Sequence, residues 1–355
     1  MTGRIWGYMK GRKKNRFLLS FSWWMLLLLV RYPFAFSQTQ GEQRFPVLFY
    51  NVENLFDCYD DPLTNDGEFL PDAKRHWTFK RYNEKVNKIA KVILASNGWE
   101  LPALVGLCEM ENGAVLKRLD WETGLSESGY RFIHHESPDK RGIDVALLYR
   151  KNEFMVLHDS AVCVSEPEND FFTRDILYVK GVFFGSDTLN VFVCHLPSKY
   201  GGAAASEPKR QKVADKLREL CDSLLNDDPN CRFLIMGDMN ESPDEKAMRL
   251  LAGAGLTAEE GMLVDLASYI IAEKVKGTVK YHGSWEVFDQ IIVSRSLTEE
   301  PFRVEGMSVV ELPFLLERDE TYSGVKPFRT FLGPVYHGGF SDHLPVKAVL
   351  IKNAK

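Results

Sequence analysis

Residues 233–243 read FLIMGDMNESP and join an apolar run directly to a glycine, an aspartate and an asparagine. The apolar run predicts a buried strand that ends near Gly237. Asp238, Asn240 and the Ser-Pro pair that follows are ordinary turn formers, so in isolation the simpler explanation is a strand that meets a turn. A functional interpretation requires that other strands end in the same way, because a catalytic site is assembled from several strand ends.

Seven further apolar runs have the length and composition of strands: 46–50, 103–108, 143–149, 176–184, 189–195, 288–293 and 345–351. Amphipathic patterns predict helices within residues 81–98 and 207–225, and a weaker one within 113–126. The four-residue link GSDT between the fourth and fifth runs permits only an antiparallel hairpin. We therefore predict an α/β (α+β) fold with mixed or antiparallel sheets and helices outside them, rather than a doubly wound parallel sheet.

Polar and ionisable residues stand at the ends of these strands. Four strands run into one of them, namely Asn51, Glu109, His195 and Asp238. Three others begin beside Asp144, Asp289 and the Ser341-Asp342-His343 triplet. In an antiparallel sheet the end of one strand lies beside the start of the next, so both sets can share one rim.

The chemistry of this set is that of a metal-assisted hydrolase. Carboxylate and amide oxygens with few histidines and no paired cysteines suit a hard cation such as Mg²⁺ or Mn²⁺. Histidines steadied by acids suit proton transfer or the stabilisation of a charged oxygen. The combination favours hydrolysis of a phosphoester.

The order of motifs along residues 45–352 resembles the endonuclease/exonuclease/phosphatase superfamily, which includes pancreatic deoxyribonuclease, abasic-site endonucleases of the exonuclease III type, and inositol-phosphate and sphingomyelin phosphodiesterases. The motifs are FYNVENLFD, LCEMEN, RGIDVALLY, TRDIL, VFVCHLPS, MGDMNESP, FDQIIVS and GFSDHLPV. The resemblance implies a four-layer, two-sheet sandwich flanked by helices, with Mg²⁺ as the usual cofactor and Mn²⁺ as an alternative.

The resemblance also implies roles for individual residues. It implies metal ligands at Asn51, Glu53, Glu109 and Asp342. It implies catalytic roles for His195 as a phosphate contact, Asp238 and Asn240 as the pair that orients water and phosphate, Asp289 as the partner of the last histidine, and His343 as general base or acid. Whether Asp238 or His343 takes the proton of water is left open. Arg141 and Arg174 are weaker correspondences, as consistent with ion pairs at a sheet edge as with phosphate clamps.

Three segments invite other functional interpretations. The loop within residues 195–210 carries Ser198, Lys199 and Arg210 around glycines, which suits either a phosphate site or a surface lid, but it lacks the motif of a P-loop. The acidic run 57–68 fails the spacing of a calcium loop, so we interpret it as a solvated loop. The GFSDH segment lacks the second glycine of a serine-nucleophile motif.

The N-terminal residues 1–37 have the features of a secretory signal: a basic start, an apolar stretch at 17–30 and small residues before Gln38. We predict that they are cleaved, that the mature chain has no transmembrane segment, and that 38–355 forms a single, monomeric catalytic domain that is periplasmic or secreted.

Without its first 37 residues the chain holds 37 basic and 49 acidic residues, a net charge of −12, so a broadly basic nucleic-acid footprint is absent. The six cysteines show no zinc spacing, and their pairing cannot be deduced.

Three functional hypotheses follow. The first is a metal-dependent phosphodiester hydrolase with nuclease-like activity, and the second keeps this chemistry but acts on lipid head groups, inositol phosphates or sugar phosphates. The third is a binding protein that retains the fold without turnover. The choice between endonuclease and exonuclease action cannot be made from the sequence.

Overall fold

The computed structural model describes residues 41–252, 263–268, 270 and 276–354. The predicted signal peptide lies outside the described residues, so it stays a prediction, as does the extent of the mature domain. None of the described helices has the length and apolar character needed to cross a membrane.

The first large sheet of the described chain has six strands. Their bounds are β1 Glu42–Leu55, β2 Leu104–Met110, β3 Tyr130–His134, β4 Asp144–Arg150, β13 Phe302–Val309 and β18 Val346–Asn353. They are ordered β13-β18-β1-β2-β4-β3 across the sheet. Strands β1 and β2 are parallel, and the other neighbours are antiparallel.

The second large sheet also has six strands among the described residues. Their bounds are β5 Met155–Val162, β6 Ile176–Phe183, β7 Asp187–His195, β8 Phe233–Asp238, β9 Leu263–Asp265 and β12 Asp289–Ser294. They are ordered β5-β6-β7-β8-β12-β9, with β7 and β8 parallel and the remaining pairs antiparallel. Both sheets are therefore mixed.

The described helices cover the outer faces of the two sheets. Their bounds are α1 Phe79–Ala95, α2 Gly113–Trp121, α3 Ala203–Asp227 and α4 Lys246–Ala252. One hydrophobic cluster joins the first sheet to α1 and α2, a second joins the other sheet to α3 and α4, and a third lies between the sheets. Three ribbons lie in the connecting loops: β10 Val279–Tyr281 with β11 Ser284–Glu286, β14 Leu316–Arg318 with β15 Val325–Pro327, and β16 Phe331–Leu332 with β17 Val335–Tyr336.

The unbroken apolar runs reflect burial on both faces of each sheet. In β8, Leu234 and Met236 enter the core between the sheets, whereas Phe233 and Ile235 enter the core under α3 and α4. Successive side chains point to opposite faces of a strand, so a strand covered on both sides needs apolar residues throughout. The run is followed by Gly237, where a side chain does not fit. A Cβ there would lie 2.4 Å from the carbonyl oxygen of Cys194 in β7.

The predicted fold class is confirmed. All eight predicted strands and all three predicted helices are present, and the predicted hairpin is the antiparallel pair β6 and β7. The sequence did not predict α4, the strands β3, β5, β9 and β13, or the ribbons. Cys108 and Cys194 are buried core residues, and all six cysteines are free.

Candidate active site

The polar strand ends of both sheets meet at one rim. In the second sheet, His195 lies opposite Asp238 across the parallel pair β7 and β8, and Asp238 lies opposite Asp289 across β8 and β12. In the first sheet, Asn51 lies opposite Cys108, so Glu109 follows immediately at the same edge. The convergence predicted from the strand ends is thus present in the structure.

The backbone at this rim departs from regular strand geometry. The pairing of β1 with β2 shifts register after Asn51, and that of β2 with β4 shifts after Cys108. Glu53 and Glu109 lie within these irregularities with φ of 53° and 64°, and Asn240 has φ of 50°. Bulges and left-handed residues of this kind re-aim side chains next to functional sites.

Asn51 connects the two sheets at the centre of the rim. Its Nδ2 donates to Oε1 of Glu109 at 3.3 Å and to Oδ2 of Asp238 at 3.0 Å. Its Oδ1 accepts from the backbone N–H of Glu53 at 2.9 Å. The amide is 1% exposed, so a single buried side chain orients one carboxylate from each sheet.

Asp238, His343 and Asp289 form a buried acid–histidine–acid group. Oδ2 of Asp289 lies 2.8 Å from Nδ1 of His343, whose Nε2 lies 3.8 Å from Oδ2 of Asp238. Burial alone lowers the pKa of His343, but the charges of Asp289 and Asp238 raise this pKa well above the ordinary value. Burial raises the pKa of Asp238 to about 6, against the opposing effect of His343. At neutral pH the histidine is thus protonated and Asp238 is mostly ionised.

His195 lies on the other side of Asp238, with its Nε2 3.5 Å from Oδ2 of that residue. Burial, followed by the charges of Arg174 and Arg141, lowers the pKa of His195 well below the ordinary value. The ring is therefore neutral at pH 7 and can donate one N–H. Asn240 is held beside it, because its Nδ2 donates to the carbonyl of Leu196 at 3.0 Å.

Three carboxylates form what we call the acidic wall: Glu53, Glu109 and Asp342. The guanidinium of Arg329 lies among them, donating to Oδ2 of Asp342 at 2.9 Å and to Oε1 of Glu53 at 3.4 Å. The charges of all three acids raise the pKa of Arg329 against the effect of burial. An all-oxygen donor set that already attracts one cation fits a hard divalent metal ion.

Two groups of described side chains have the separations of possible metal ligands. One is Asp238, Asp289 and His343, and the other is His134, Glu136 and Asp144. In the second group Nε2 of His134 lies 3.1 Å from Oδ2 of Asp144, which is an ordinary hydrogen bond. The structure therefore has acidic clusters that could bind a divalent metal, without identifying the ion.

Comparison with protein families decides the relationship suggested by the motifs. Residues 46–352 match the model described as the endonuclease/exonuclease/phosphatase family. The chain belongs to this family. Family membership and similar structures support a hydrolase of the phosphodiesterase, phosphatase or nuclease type. No curated protein matches the chain significantly.

Solved structures share the fold at low sequence identity. An endonuclease/exonuclease/phosphatase family protein from Bacteroides thetaiotaomicron is 16% identical with a TM-score of 0.57, over 88% of this chain and 100% of that one. A mannosyl-6-phosphatase from the same organism is 18% identical with a TM-score of 0.53, over 86% and 99%. TDP2 from D. rerio, complexed with a single-strand DNA product, is 16% identical with a TM-score of 0.53, over 87% and 99%. These similarities show the shared fold of the family.

The nine predicted site residues all lie at the rim, although their roles stay predictions. Asp238, His343 and Asp289 form the buried acid–histidine–acid group, and His195 and Asn240 contact Asp238. Glu109 and Asp342 keep partly exposed carboxylates. All four predicted metal ligands are already engaged by protein groups. Asn51 directs Nδ2 toward the acids, and both oxygens of Glu53 accept N–H groups from residues 330 and 331. Glu109 accepts from Nδ2 of Asn51 and from the N–H of Asn54, and Oδ2 of Asp342 accepts from Arg329.

Three residues that support the site were not singled out in the sequence: Lys85, Thr278 and Arg329. Lys85 is fully buried and donates to Oγ1 of Thr330 and to the carbonyl of Phe340. Its position on the apolar face of α1 was the available signal, because a lysine there must find a partner. Ser341 donates to the carbonyl of Asn51 at 2.7 Å and is 1% exposed, which leaves it no role as an exposed nucleophile.

The loop residues considered for phosphate binding are engaged elsewhere. Arg210 is buried against Glu241 at 2.7 Å, and Lys199 pairs with Glu245 at 2.7 Å. Arg174 is also buried and donates to the carbonyls of His195 and Leu196, so it positions the histidine. The interpretation of residues 57–68 as a solvated loop is wrong in part, because Asp66 is buried and accepts the N–H of Asp61.

Proposed function

We propose that this protein is a Mg²⁺-dependent phosphodiester hydrolase with nuclease-like activity. The observation that carries the proposal is the buried Asp238–His343–Asp289 group beside the acidic wall. A charged histidine, an ionised carboxylate and a cation site at one rim are the parts that hydrolysis of a phosphoester requires.

The proposed roles follow from the protonation states. Asp238, with a pKa of about 6, is ionised at neutral pH and accepts a proton from the attacking water. His343 is protonated, because Asp289 and Asp238 hold its pKa high despite burial, and it stabilises negative charge on the phosphate or donates its proton to the leaving group. We therefore propose Asp238, rather than His343, as the base.

The neighbouring residues bind and orient the phosphate. Neutral His195 donates an N–H to a phosphate oxygen, and Asn240 orients the water or the phosphate. Glu109 and Asp342, with Glu53 and Asn51 behind them, would hold Mg²⁺ or Mn²⁺. The bound cation would neutralise phosphate charge.

A second candidate is hydrolysis of a small phosphoester such as a sugar phosphate or a lipid head group. It is favoured by the acidic balance of the chain, −5 overall and −12 without residues 1–37, which disfavours long polyanions. The mannosyl-6-phosphatase among the similar structures supports it at the level of the fold. We also propose that the protein is exported, which rests on the composition of residues 1–37.

The proposal is tested with bis-p-nitrophenyl phosphate. Release of p-nitrophenol should require Mg²⁺ or Mn²⁺ and should stop on addition of a chelator. Metal-independent release, or none, would contradict the proposal. Parallel assays on plasmid DNA, RNA, sphingomyelin and sugar phosphates would then separate nuclease-like activity from the second candidate.

A further inference from the structure

The ribbon of β10 and β11 is attached directly to the acid–histidine pair. Val279 forms an antiparallel bridge with His343, and the N–H of Leu344 donates to the carbonyl of Thr278 at 2.8 Å. Oγ1 of Thr278 also accepts the N–H of Asp289 at 3.2 Å. The ribbon therefore extends from the backbone that holds Asp289 and His343.

The tip of this ribbon carries exposed aromatic rings. Tyr281 is 65% exposed and Tyr322, from the adjoining loop, is 47% exposed. His282 lies between them, with its ring centroid 4.2 Å from that of Tyr281 and 6.2 Å from that of Tyr322. We call these three side chains the aromatic edge. Such exposure of large rings beside a catalytic rim indicates a binding role.

Contacts between its members hold the aromatic edge in place, and the lysine next to it is paired with an acid. Nδ1 of His282 lies 3.0 Å from the hydroxyl of Tyr322. Gly283 has φ of 85°, and a Cβ there would lie 3.1 Å from the Tyr322 ring. Lys280 is buried against Asp319 at 2.8 Å, so its charge is neutralised. Exposed rings whose neighbouring lysine is already paired offer a flat surface that suits stacking by a planar base.

We propose that the aromatic edge binds the base of a nucleotide whose phosphate lies at the acid–histidine group. This inference rests on the proposed function, because it assumes that the rim binds phosphate. Bases stack on aromatic side chains whatever their sequence, and each such contact typically contributes a substantial part of the affinity. A sugar phosphate without a base would leave the edge uncovered.

The test compares two ligands that share a phosphate and a sugar. Adenosine 5′-monophosphate and ribose 5-phosphate are titrated into the Mg²⁺-loaded protein by calorimetry, in an Asp238→Asn background that prevents turnover. The nucleotide should bind roughly tenfold more tightly than the sugar phosphate. Tyr281→Ala should bring the ratio of the two dissociation constants close to one, and Tyr281→Phe should preserve it.

Trp99→Ala is the matched control, because Trp99 is a fully exposed aromatic residue away from the rim. It precedes the first residue of β2, whereas Glu109 lies near the other end of that strand. This variant should keep the ratio. Equal affinity for the two ligands, no binding of either, or an equal weakening of both by Tyr281→Ala would overturn the inference. If the ratio behaves as expected but the hydrolysis assay shows no metal-dependent turnover, the proposed function fails while nucleotide binding at this edge stands.

Discussion

Oδ2 of Asp289 lies 2.8 Å from Nδ1 of His343, although the two residues are 54 positions apart in the sequence. Asp289 opens β12 and is fully buried, whereas His343 lies three residues before β18, the last strand of the other sheet. The contact therefore depends on the stacking of the two sheets. The charge that keeps His343 protonated is therefore in place only when both sheets are assembled.

Asp289→Asn should remove the charge that keeps His343 protonated. The folded-state pKa of His343 is raised, so its contact with Asp289 stabilises the fold below the ordinary pKa and stops doing so as pH rises through the raised value. We expect kcat/KM to fall by about 10²–10³ and the alkaline limb of the pH–rate profile to move to lower pH. Asp159→Asn is the control, because Asp159 pairs with His135 at the same 2.8 Å on the surface. An unshifted profile in Asp289→Asn would contradict this role.

Asn51→Ala should lower both stability and activity. The variant leaves Glu109 and Asp238 without their shared donor, so we expect a loss of about 1–3 kcal/mol in the free energy of unfolding and at least a tenfold loss in kcat. Asn190→Ala is the matched control, since Asn190 is a buried amide in β7 of the second sheet, at the end of its pairing with β8 that lies away from His195. Denaturant unfolding and initial rates should show that the control loses stability alone. Equal kinetic losses in both variants would argue against a special position for Asn51.

Arg329→Met should tighten the binding of divalent metal. The guanidinium contacts Asp342 and Glu53 and therefore repels a second cation at the acidic wall. We expect the dissociation constant for Mn²⁺, measured by calorimetry, to fall several-fold. Arg318→Met is the control, because Arg318 is 82% exposed and pairs with Glu320. Weaker Mn²⁺ binding in Arg329→Met would show that the arginine supports the site instead.

Glu111→Gln should flatten the dependence of stability on pH. Burial raises the pKa of Glu111 to about 8, so between about 4.5 and 8 the folded protein binds more protons than the unfolded chain. Stability therefore falls as pH rises through this window, by up to about 5 kcal/mol. Thermal unfolding at pH 5 and pH 9 should show a smaller difference for the variant than for the wild type. The same pH dependence in both proteins would contradict the raised pKa of Glu111.

The strands predicted from the sequence are those buried on both faces, such as β8, because their apolar runs are continuous. The strand β5 was missed because it lies at a sheet edge and none of its residues is fully buried, so its sequence lacks such a run. Similarly, Asp238 and His195 could be predicted from their places at strand ends. Arg329 could not, because its contact with Glu53 joins residues 276 positions apart and depends on how a long loop returns to the rim.

The central claim is that Asp238 and His343 belong to one catalytic group that hydrolyses phosphoesters with a divalent metal. The most direct measurement is the Mg²⁺-dependent kcat for bis-p-nitrophenyl phosphate in Asp238→Ala and His343→Ala, with thermal unfolding to establish that each variant is folded. We expect both variants to lose about 10³-fold or more in kcat while remaining folded. A folded variant that retains a rate near that of the wild type would contradict the claim.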